Sequence, residues 1–199
     1  MAAKTQVRIV AGSLRGRKLS VVVHSGLRPT PQLVREALFS ILGNAVPGRV
    51  FYDVFAGSGV VGLEAISRGA TAARFVEKNP LQVADIQRYA QQFGVANQVQ
   101  TLRADSYHWA ERWVPHDQQP VNIFLSPPFP DLSDRLDSFL ALVRTIFEKA
   151  PDESVIIIQA EEGFPSERLP DPPAWDIRTY GRNQLFFYVV SRYPQTHRM

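Results

Sequence analysis

From residue 50 onward, two hydrophobic periodicities alternate along the chain. Short apolar runs typical of strands occur at 50–56, 73–77, 99–104, 121–125 and 154–159, and segments with helical spacing occur at 60–67, 80–93, 106–112 and 133–149. This alternation predicts parallel strands that are joined by right-handed helical crossovers. Two final runs at 175–181 and 184–190 have no helix between them, so they predict an antiparallel hairpin at one sheet edge. The fold class is therefore predicted as α/β with a mostly parallel, seven-stranded sheet.

The N-terminal part of the chain predicts a basic hairpin. VRIVAG (7–12) and KLSVVV (18–23) are β-like runs, and Arg15 and Arg17 lie between them at the tip. Residues 1–35 contain seven of the 22 basic residues and no acidic residue. Uncompensated cations of this kind are typical of a surface that contacts a phosphate backbone, although a merely solvated arm has the same composition.

A helix is predicted directly after the hairpin, in the block RPTPQLVREALFSILGNA. Thr30 is placed as its N-cap, Pro31 as its first residue and Gly43 as its end. The apolar residues between these signals recur at helical spacing, which favours a helix over a strand.

Composition narrows the class of protein. With 199 residues, 45% hydrophobic, the chain is expected to form one domain (1–199) with residues 1–30 as a basic extension. The absence of cysteine excludes disulfide frameworks and thiolate zinc sites, and the four histidines lack metal-ligand spacing, so no metal is predicted. No apolar stretch approaches the roughly 18 residues of a membrane span and the start lacks a signal-peptide pattern, so a cytoplasmic protein is expected.

The ends of the first two parallel strands carry candidate cofactor residues, because ligands of such sheets bind outside the carboxyl ends of the strands. AGSGVVG (56–62) is a glycine-rich turn that allows a ligand to approach the backbone closely. Glu77 follows it by about the 20 residues at which a carboxylate accepts hydrogen bonds from ribose hydroxyls. Both features fit any adenosine-containing cofactor, and GSGVVG also satisfies the G-x-G-x-x-G pattern, so a nicotinamide dehydrogenase stays open at this point.

The ends of the next two parallel strands favour a transferase. Asp105 follows the third strand, where a carboxylate can accept from an adenine amino group. SPPF (126–129) follows the fourth strand, and its prolines give a stiff, extended turn. A polar side chain and the first proline's carbonyl can hold two amine hydrogens, while Phe129 stacks on a base lifted out of its stack. The turn therefore predicts methyl transfer to a planar exocyclic amine.

These residues resemble the bacterial 16S ribosomal RNA (guanine-N2)-methyltransferase family, which is Rossmann-like, class I and S-adenosylmethionine-dependent. The resemblance covers nearly the whole chain and is carried by RIVAGSLRGRKL, RPTPQLVREALFSIL, DVFAGSGVVGLEAISRGA, FVEKN, the Asp105 strand end and PPF. It implies methylation of the exocyclic N2 of one guanine, with S-adenosylmethionine as the cofactor. It also implies ribosomal RNA or a small-subunit assembly particle as the partner, and we expect a monomer.

The resemblance assigns residues to three groups. Contacts to the cofactor are implied for Phe55, Ala56, Gly57, Ser58, Gly59, Glu77, Lys78, Asp105 and Ser106. Asp53 either orders the cofactor as well or is satisfied by backbone amides of the following turn. The target base is presented by Ser126, Pro127, Pro128 and Phe129, and RNA is held by Arg8, Arg15, Arg17, Lys18, Arg28 and Arg35.

Ser126 departs from the family's pattern, which usually has Asp or Asn before the two prolines. A serine oxygen still accepts one hydrogen bond, but a neutral bond contributes about 0.5–1.5 kcal/mol against about 1.5–3 for a charge-assisted one. Two alternatives follow from this serine. One is a cytosine-N4 or other amino DNA methyltransferase, whose SPP-type motif is similar, and the other is a catalytically impaired RNA-binding homologue.

Overall fold

The computed structural model describes residues 3–23, 29–115 and 117–192. The strands are β1 (Ala3–Arg8), β2 (Lys18–Val23), β3 (Val50–Val54), β4 (Ala72–Glu77), β5 (Val99–Arg103), β6 (Val121–Leu125), β7 (Val155–Glu161), β8 (Asp176–Tyr180) and β9 (Asn183–Val189). The helices are α1 (Gln32–Leu42), α2 (Val60–Ser67), α3 (Pro80–Gln92), α4 (Ser106–Arg112), α5 (Asp131–Asp134) and α6 (Leu136–Lys149). Short 3₁₀ turns lie at Gly43–Ala45, Ala96–Gln98, Ser166–Arg168 and Pro172–Ala174. No helix among these described residues is long and apolar enough to cross a membrane.

The main sheet has seven strands in the order β5-β4-β3-β6-β7-β9-β8, and β1 pairs with β2 in a separate antiparallel sheet. Strands β3 to β7 are parallel, whereas β9 runs antiparallel to both of its neighbours, β7 and β8. The predicted α/β fold with its mostly parallel sheet, C-terminal antiparallel hairpin and N-terminal hairpin is confirmed. The chain reverses its direction of travel across the sheet between β3 and β6, which creates a crevice at their carboxyl ends.

The two faces of the sheet bury separate apolar clusters, because neighbouring residues of a strand point to opposite faces. Phe51 and Phe124 pack on the face that is covered by the hairpin, α1, α2 and α3. Tyr52 and Ile123 pack on the face that is covered by α4 and α6. Strand β6 is buried along its whole length, so its apolar run VNIFL needs no alternation.

The first strand of the hairpin begins and ends earlier than the apolar pattern predicts, since β1 spans Ala3–Arg8 rather than 7–12, whereas β2 has the predicted bounds, Lys18–Val23. Residues beyond Arg8 turn toward α2 instead. Val10 donates its N–H to the Glu64 carboxylate (3.2 Å), and Ser67 Oγ donates to the carbonyl of Ala11 (2.5 Å). A Cβ on Gly12 would lie 1.7 Å from the Ser67 carbonyl oxygen, so glycine is required where the loop meets the helix.

Two helix predictions also need correction. Pro31 occupies the N-cap position of α1 with extended backbone, and Thr30 does not cap the helix because its hydroxyl donates to Gln159 (2.9 Å). The helix predicted over 133–149 is divided in two at Arg135, whose backbone leaves the helical region (φ −129°, ψ 27°). The short helix α5 thereby forms a separate element directly after the SPPF turn.

Candidate active site

A cavity of about 360 Å³ lies at the carboxyl ends of the central parallel strands, a volume typical of small-molecule sites. Its wall includes nine residues predicted to contact the cofactor: Asp53, Phe55, Ala56, Gly57, Ser58, Glu77, Lys78, Asp105 and Ser106. Gly59 does not line the cavity and instead begins α2 in the left-handed conformation. The predicted base-presenting residues Ser126, Pro127, Pro128 and Phe129 lie on the same wall. One cavity therefore brings together the strand ends on which the sequence interpretation depends.

The glycine turn between β3 and α2 brings backbone to the cavity. Gly62 allows α2 to approach the sheet closely, because a Cβ there would lie 2.3 Å from Cε1 of Phe75. Phe55 begins the turn with φ at +67°, although it is not a glycine. Such a backbone costs about 1–3 kcal/mol and occurs mostly at functional sites, where the surrounding structure enforces it. The strain falls on the first residue after β3, directly on the cavity wall.

Glu77 joins the glycine turn to the end of β4. Its Oε2 accepts the N–H of Gly57 (2.8 Å), and its Oε1 accepts the N–H of Asn79 (2.8 Å). The residue is 9% exposed and lines the cavity. Each carboxylate oxygen has a second lone pair, so Glu77 can hold the turn and still accept hydrogen bonds from a bound ligand.

Asp53 is buried below the turn and accepts the N–H of Gly62 through Oδ2 (2.9 Å). Burial raises its pKa to about 7; the hydrogen bond from Gly62 opposes this rise and the nearby charge of Glu77 adds to it. Asp53 is thus divided between its neutral and charged forms near neutral pH. The hydrogen bond from Gly62 agrees with the alternative that backbone amides of the following turn satisfy Asp53. Asp53 also lies on the cavity wall, and its role in ordering the cofactor stays a proposal.

Asp105 caps α4 with one oxygen. Its Oδ1 accepts the N–H groups of Tyr107 (2.9 Å) and His108 (3.4 Å), while its Oδ2 has no hydrogen-bond partner among the described residues. The N-cap role also fixes the direction of the side chain at the cavity wall. Since the free oxygen is an acceptor, Asp105 fits the amino group of an adenine ring.

The SPPF turn leaves β6 beside the end of β3. Ser126 donates its N–H to the carbonyl of Val54 (3.4 Å). Because Val54 pairs with Leu125, the next residues of the two strands, Phe55 and Ser126, lie beside each other. The carbonyl of Pro128 accepts the N–H of Asp131 (2.8 Å), which ties the turn to α5. The turn is therefore held at both ends, and Ser126 faces the cavity that the glycine turn also lines.

Six polar residues of the cavity wall were missed in the sequence interpretation: Thr30, Asn79, Gln82, Tyr107, Asp131 and Gln159. Tyr107 donates its hydroxyl to Asp131 Oδ2 (2.7 Å), which joins α4 to α5, and burial together with Asp131 raises the pKa of this tyrosine. Gln159 interrupts the apolar run of β7 near its carboxyl end. The strand-end rule applied to this fifth parallel strand would have found it, whereas nothing local indicates the pairing of Tyr107 with Asp131.

The predicted RNA contacts have different environments. Arg8, Arg15, Arg17 and Lys18 are exposed on the hairpin, and Arg28 lies outside the described residues. Arg35 is 1% exposed; it donates to Glu64 Oε2 (2.8 Å) and to the carbonyls of Thr30 (2.6 Å) and Arg8 (2.8 Å). The prediction that Arg35 contacts RNA is wrong, because its guanidinium is enclosed within the protein.

The strand order, the inserted antiparallel strand and the crevice beside the glycine turn define a Rossmann-like methyltransferase that uses S-adenosylmethionine. A family model described as "Conserved hypothetical protein 95" matches residues 7–189, and the chain belongs to this family.

Two relatives match over nearly their whole length. The chain is 38% identical over 193 residues to the ribosomal RNA small subunit methyltransferase D of Escherichia coli (strain K12), covering 96% of this chain and 92% of that protein. It is 29% identical over 182 residues to the putative rRNA methyltransferase YlbH of Bacillus subtilis (strain 168), covering 92% and 98%.

Solved structures agree with this assignment. A putative methyltransferase from Escherichia coli, yhhF, matches with a TM-score of 0.75 and 27% identity over 94% of this chain and 99% of that one. A T. thermophilus 16S rRNA N2 methyltransferase, solved with AdoMet and guanosine, matches with a TM-score of 0.72 and 21% identity over 96% of this chain and 50% of that one. The second likeness shows the fold alone.

The residues of the cavity fit S-adenosylmethionine. The free oxygen of Asp105 suits an adenine amino group, the remaining lone pairs of Glu77 suit ribose hydroxyls, and the turn at Gly57 brings backbone to the cavity wall. Asp105, Glu77 and Gly57 lie at the carboxyl ends of the adjacent strands β5, β4 and β3, which is the order of the adenine, ribose and methionine parts of the cofactor.

Proposed function

We propose that this protein methylates the exocyclic N2 of a guanine in small-subunit ribosomal RNA. The observation that carries the proposal is the position of the SPPF turn, on the same cavity wall as the glycine turn, Glu77 and Asp105. Methyl transfer needs the methyl donor and the acceptor amine to be held side by side, and this cavity wall offers residues for both. The relatives from Escherichia coli and Bacillus subtilis are named as ribosomal RNA methyltransferases, which supports RNA as the substrate.

The role of the protein in this reaction is alignment. When bound, the cofactor supplies a methyl group on a sulfonium, which is a good leaving group. Ser126 Oγ and the carbonyl of Pro127 accept the two N–H bonds of the target amine, which aims the nitrogen lone pair at the methyl carbon. Phe129 stacks on the base, and the stiff proline pair keeps the acceptors in place. With the cofactor bound, formation of the new N–C bond would be balanced by cleavage of the C–S bond of the cofactor, and one amine proton would pass to solvent.

The proposal is tested by transfer of tritium from labelled S-adenosylmethionine to unmodified small-subunit RNA, to assembled small-subunit particles and to naked DNA. Nucleoside analysis then identifies the product. We expect label in N2-methylguanosine. Label in DNA cytosine would instead identify an amino DNA methyltransferase, and binding of the cofactor without any label would identify a protein that has lost the reaction.

The hairpin is proposed to hold the RNA. Arg8, Arg15, Arg17 and Lys18 are exposed, and within the described part of the chain none of them forms an ion pair with an acidic residue. Buried Arg35 donates to carbonyls of both Arg8 and Thr30, and Thr30 lines the cavity. One side chain therefore fixes the basic hairpin relative to the cavity, so that bound RNA and the target base are held by one rigid unit.

We expect the double variant Arg15→Ala with Lys18→Ala to bind RNA about tenfold more weakly near physiological salt. Two lost phosphate contacts would also reduce the slope of log affinity against log salt by about 1.4 to 1.8. The measurement is RNA binding at several salt concentrations, with cofactor affinity measured in parallel and expected to stay unchanged.

The matched control is Arg144→Ala, which removes an exposed cation from α6 on the opposite face of the sheet. Its salt slope is expected to equal that of the parent protein. If the control and the hairpin variant lose the same RNA affinity per removed charge, the assignment of the hairpin as the RNA contact is contradicted. Such a result would indicate that net charge alone attracts the RNA.

A further inference from the structure

Gln159 is a buried polar residue within the apolar run of β7. It is 3% exposed, and it lies on the cavity wall with Ser126. Its Oε1 accepts hydrogen bonds from two hydroxyls, Thr30 Oγ1 (2.9 Å) and Ser126 Oγ (3.3 Å). Its Nε2 donates to Asn183 Oδ1 (3.0 Å). Both ends of the amide are thus engaged, which fixes the side chain in one orientation.

The direction of these bonds decides what Ser126 can offer to a substrate. A serine hydroxyl has one hydrogen and two lone pairs, and the hydrogen turns toward whichever acceptor is near. Because Gln159 presents its oxygen, the hydroxyl hydrogen of Ser126 points away from the ligand. The lone pairs of Ser126 are then left for an incoming N–H. Without the glutamine oxygen, the hydroxyl could point its hydrogen into the cavity, where it would oppose an amine.

We propose that Gln159 is a positioning residue that makes Ser126 an acceptor for the target amino group. This inference rests on the proposed function, in which Ser126 receives one amine hydrogen. It explains how a neutral serine can stand where a carboxylate or an amide is usual, since a carboxylate needs no partner to act as an acceptor, whereas a hydroxyl does. Thr30, whose hydroxyl is the second donor to Gln159 Oε1, lies in the segment between the hairpin and α1.

Replacing Gln159 by methionine tests the proposal, because methionine keeps the length of the side chain and removes the acceptor. We expect kcat to fall about tenfold, the size of one neutral hydrogen bond. The KM values for RNA and cofactor are expected to stay within about twofold of the parent, since the acceptor acts on the reacting amine and not on binding. Gln159→Glu is expected to restore most of the lost kcat, because a carboxylate accepts from both hydroxyls.

A comparison of four proteins separates positioning from a general structural effect. In the Ser126→Ala background, Gln159→Met is expected to cause no further loss of kcat, because the hydroxyl on which it acts is gone. The control is Gln184→Met, whose side chain contacts Thr179 in the outer hairpin and is expected to leave kcat unchanged. A loss from Gln159→Met that is equally large with and without Ser126 would overturn the proposal, as would a failure of Gln159→Glu to restore kcat.

The failure of the inference can be told apart from the failure of the proposed function. If label appears on an amino nitrogen other than guanine N2, the proposed function is wrong, and the four-protein comparison still decides the role of Gln159. If no label is transferred, the side-chain amide resonances of Gln159 decide instead. Ser126→Ala and Thr30→Val are each expected to shift these resonances, and unchanged resonances in both variants would overturn the hydrogen-bond arrangement.

Discussion

Alanine at position 77 is expected to weaken binding of S-adenosylmethionine by about 100-fold. Glu77 presents both carboxylate oxygens to the turn and the following loop, through the N–H groups of Gly57 and Asn79 at 2.8 Å. In the proposed complex it also accepts from ribose hydroxyls. Charge-assisted hydrogen bonds contribute about 1.5–3 kcal/mol each, so the loss of two corresponds to a factor of about 100 or more. Isothermal titration calorimetry of the variant and the parent measures the difference.

The role of Glu77 toward the ligand can be separated from its role in the turn. The parent is expected to bind S-adenosylhomocysteine much more tightly than an analogue that lacks both ribose hydroxyls. Glu77→Ala is expected to bind these two ligands with nearly equal affinity, because it cannot recognise the hydroxyls. If the variant instead loses the same factor for both ligands, Glu77 acts only by shaping the turn at Gly57, and ribose recognition must come from another residue.

The strand ends were the part of the site that the sequence could predict. Glu77 is the last residue of β4, Asp105 lies two residues after β5 and Ser126 directly follows β6. In an open α/β sheet, residues at the carboxyl ends of parallel strands must meet at one edge. The bounds of α2 and α4 also agree with the predicted segments, because glycine and aspartate mark where these helices begin. The residue type at a strand end can therefore be identified from the local sequence, and the parallel sheet places these residues at one common edge.

Contacts between distant segments could not be predicted in the same way. Arg35 lies in a basic stretch, but its partner Glu64 is 29 residues away on another helix, and the pair is buried. The start of the hairpin was misplaced for the same reason, since Glu64 and Ser67 bind the backbone that continues the apolar run of β1. Charge and hydrophobic pattern describe a residue type, whereas burial depends on which segment the fold places against it.

The ion pair between Arg35 and Glu64 leads to the largest expected effect on stability. Glu64 is fully buried and accepts hydrogen bonds from Arg35 Nε (2.8 Å), Arg68 Nη2 (2.9 Å) and the N–H of Val10 (3.2 Å). Glu64→Ala leaves the buried guanidinium of Arg35 without a counter-charge. Removing one partner of a buried pair costs about 3–5 kcal/mol. We expect a loss of this size in the free energy of unfolding, measured by urea denaturation.

Two controls give this prediction its specificity. Asp85→Ala breaks an acid–arginine pair with Arg88 that is about half exposed, and it is expected to cost less than about 1 kcal/mol. The double variant Arg35→Met with Glu64→Leu removes both charges of the fully buried pair, so it is expected to recover more than half of the loss caused by Glu64→Ala. A cost for Asp85→Ala as large as that for Glu64→Ala would contradict the argument from burial.

The same pair connects stability with the proposed function. Arg35 holds the carbonyls of Arg8 in the hairpin and Thr30 on the cavity wall, and Glu64 holds Arg35 together with Val10. When Glu64 is lost, the hairpin loses its hydrogen bond from Val10 to α2 and its indirect link to α2 through Arg35, while the cavity residues on the strand ends keep their contacts. Glu64→Ala should therefore weaken RNA binding more than cofactor binding under conditions in which the variant is still folded. Equal weakening of RNA binding and cofactor binding would mean that the loss of Glu64 affects the hairpin and the cavity alike, which would contradict this prediction.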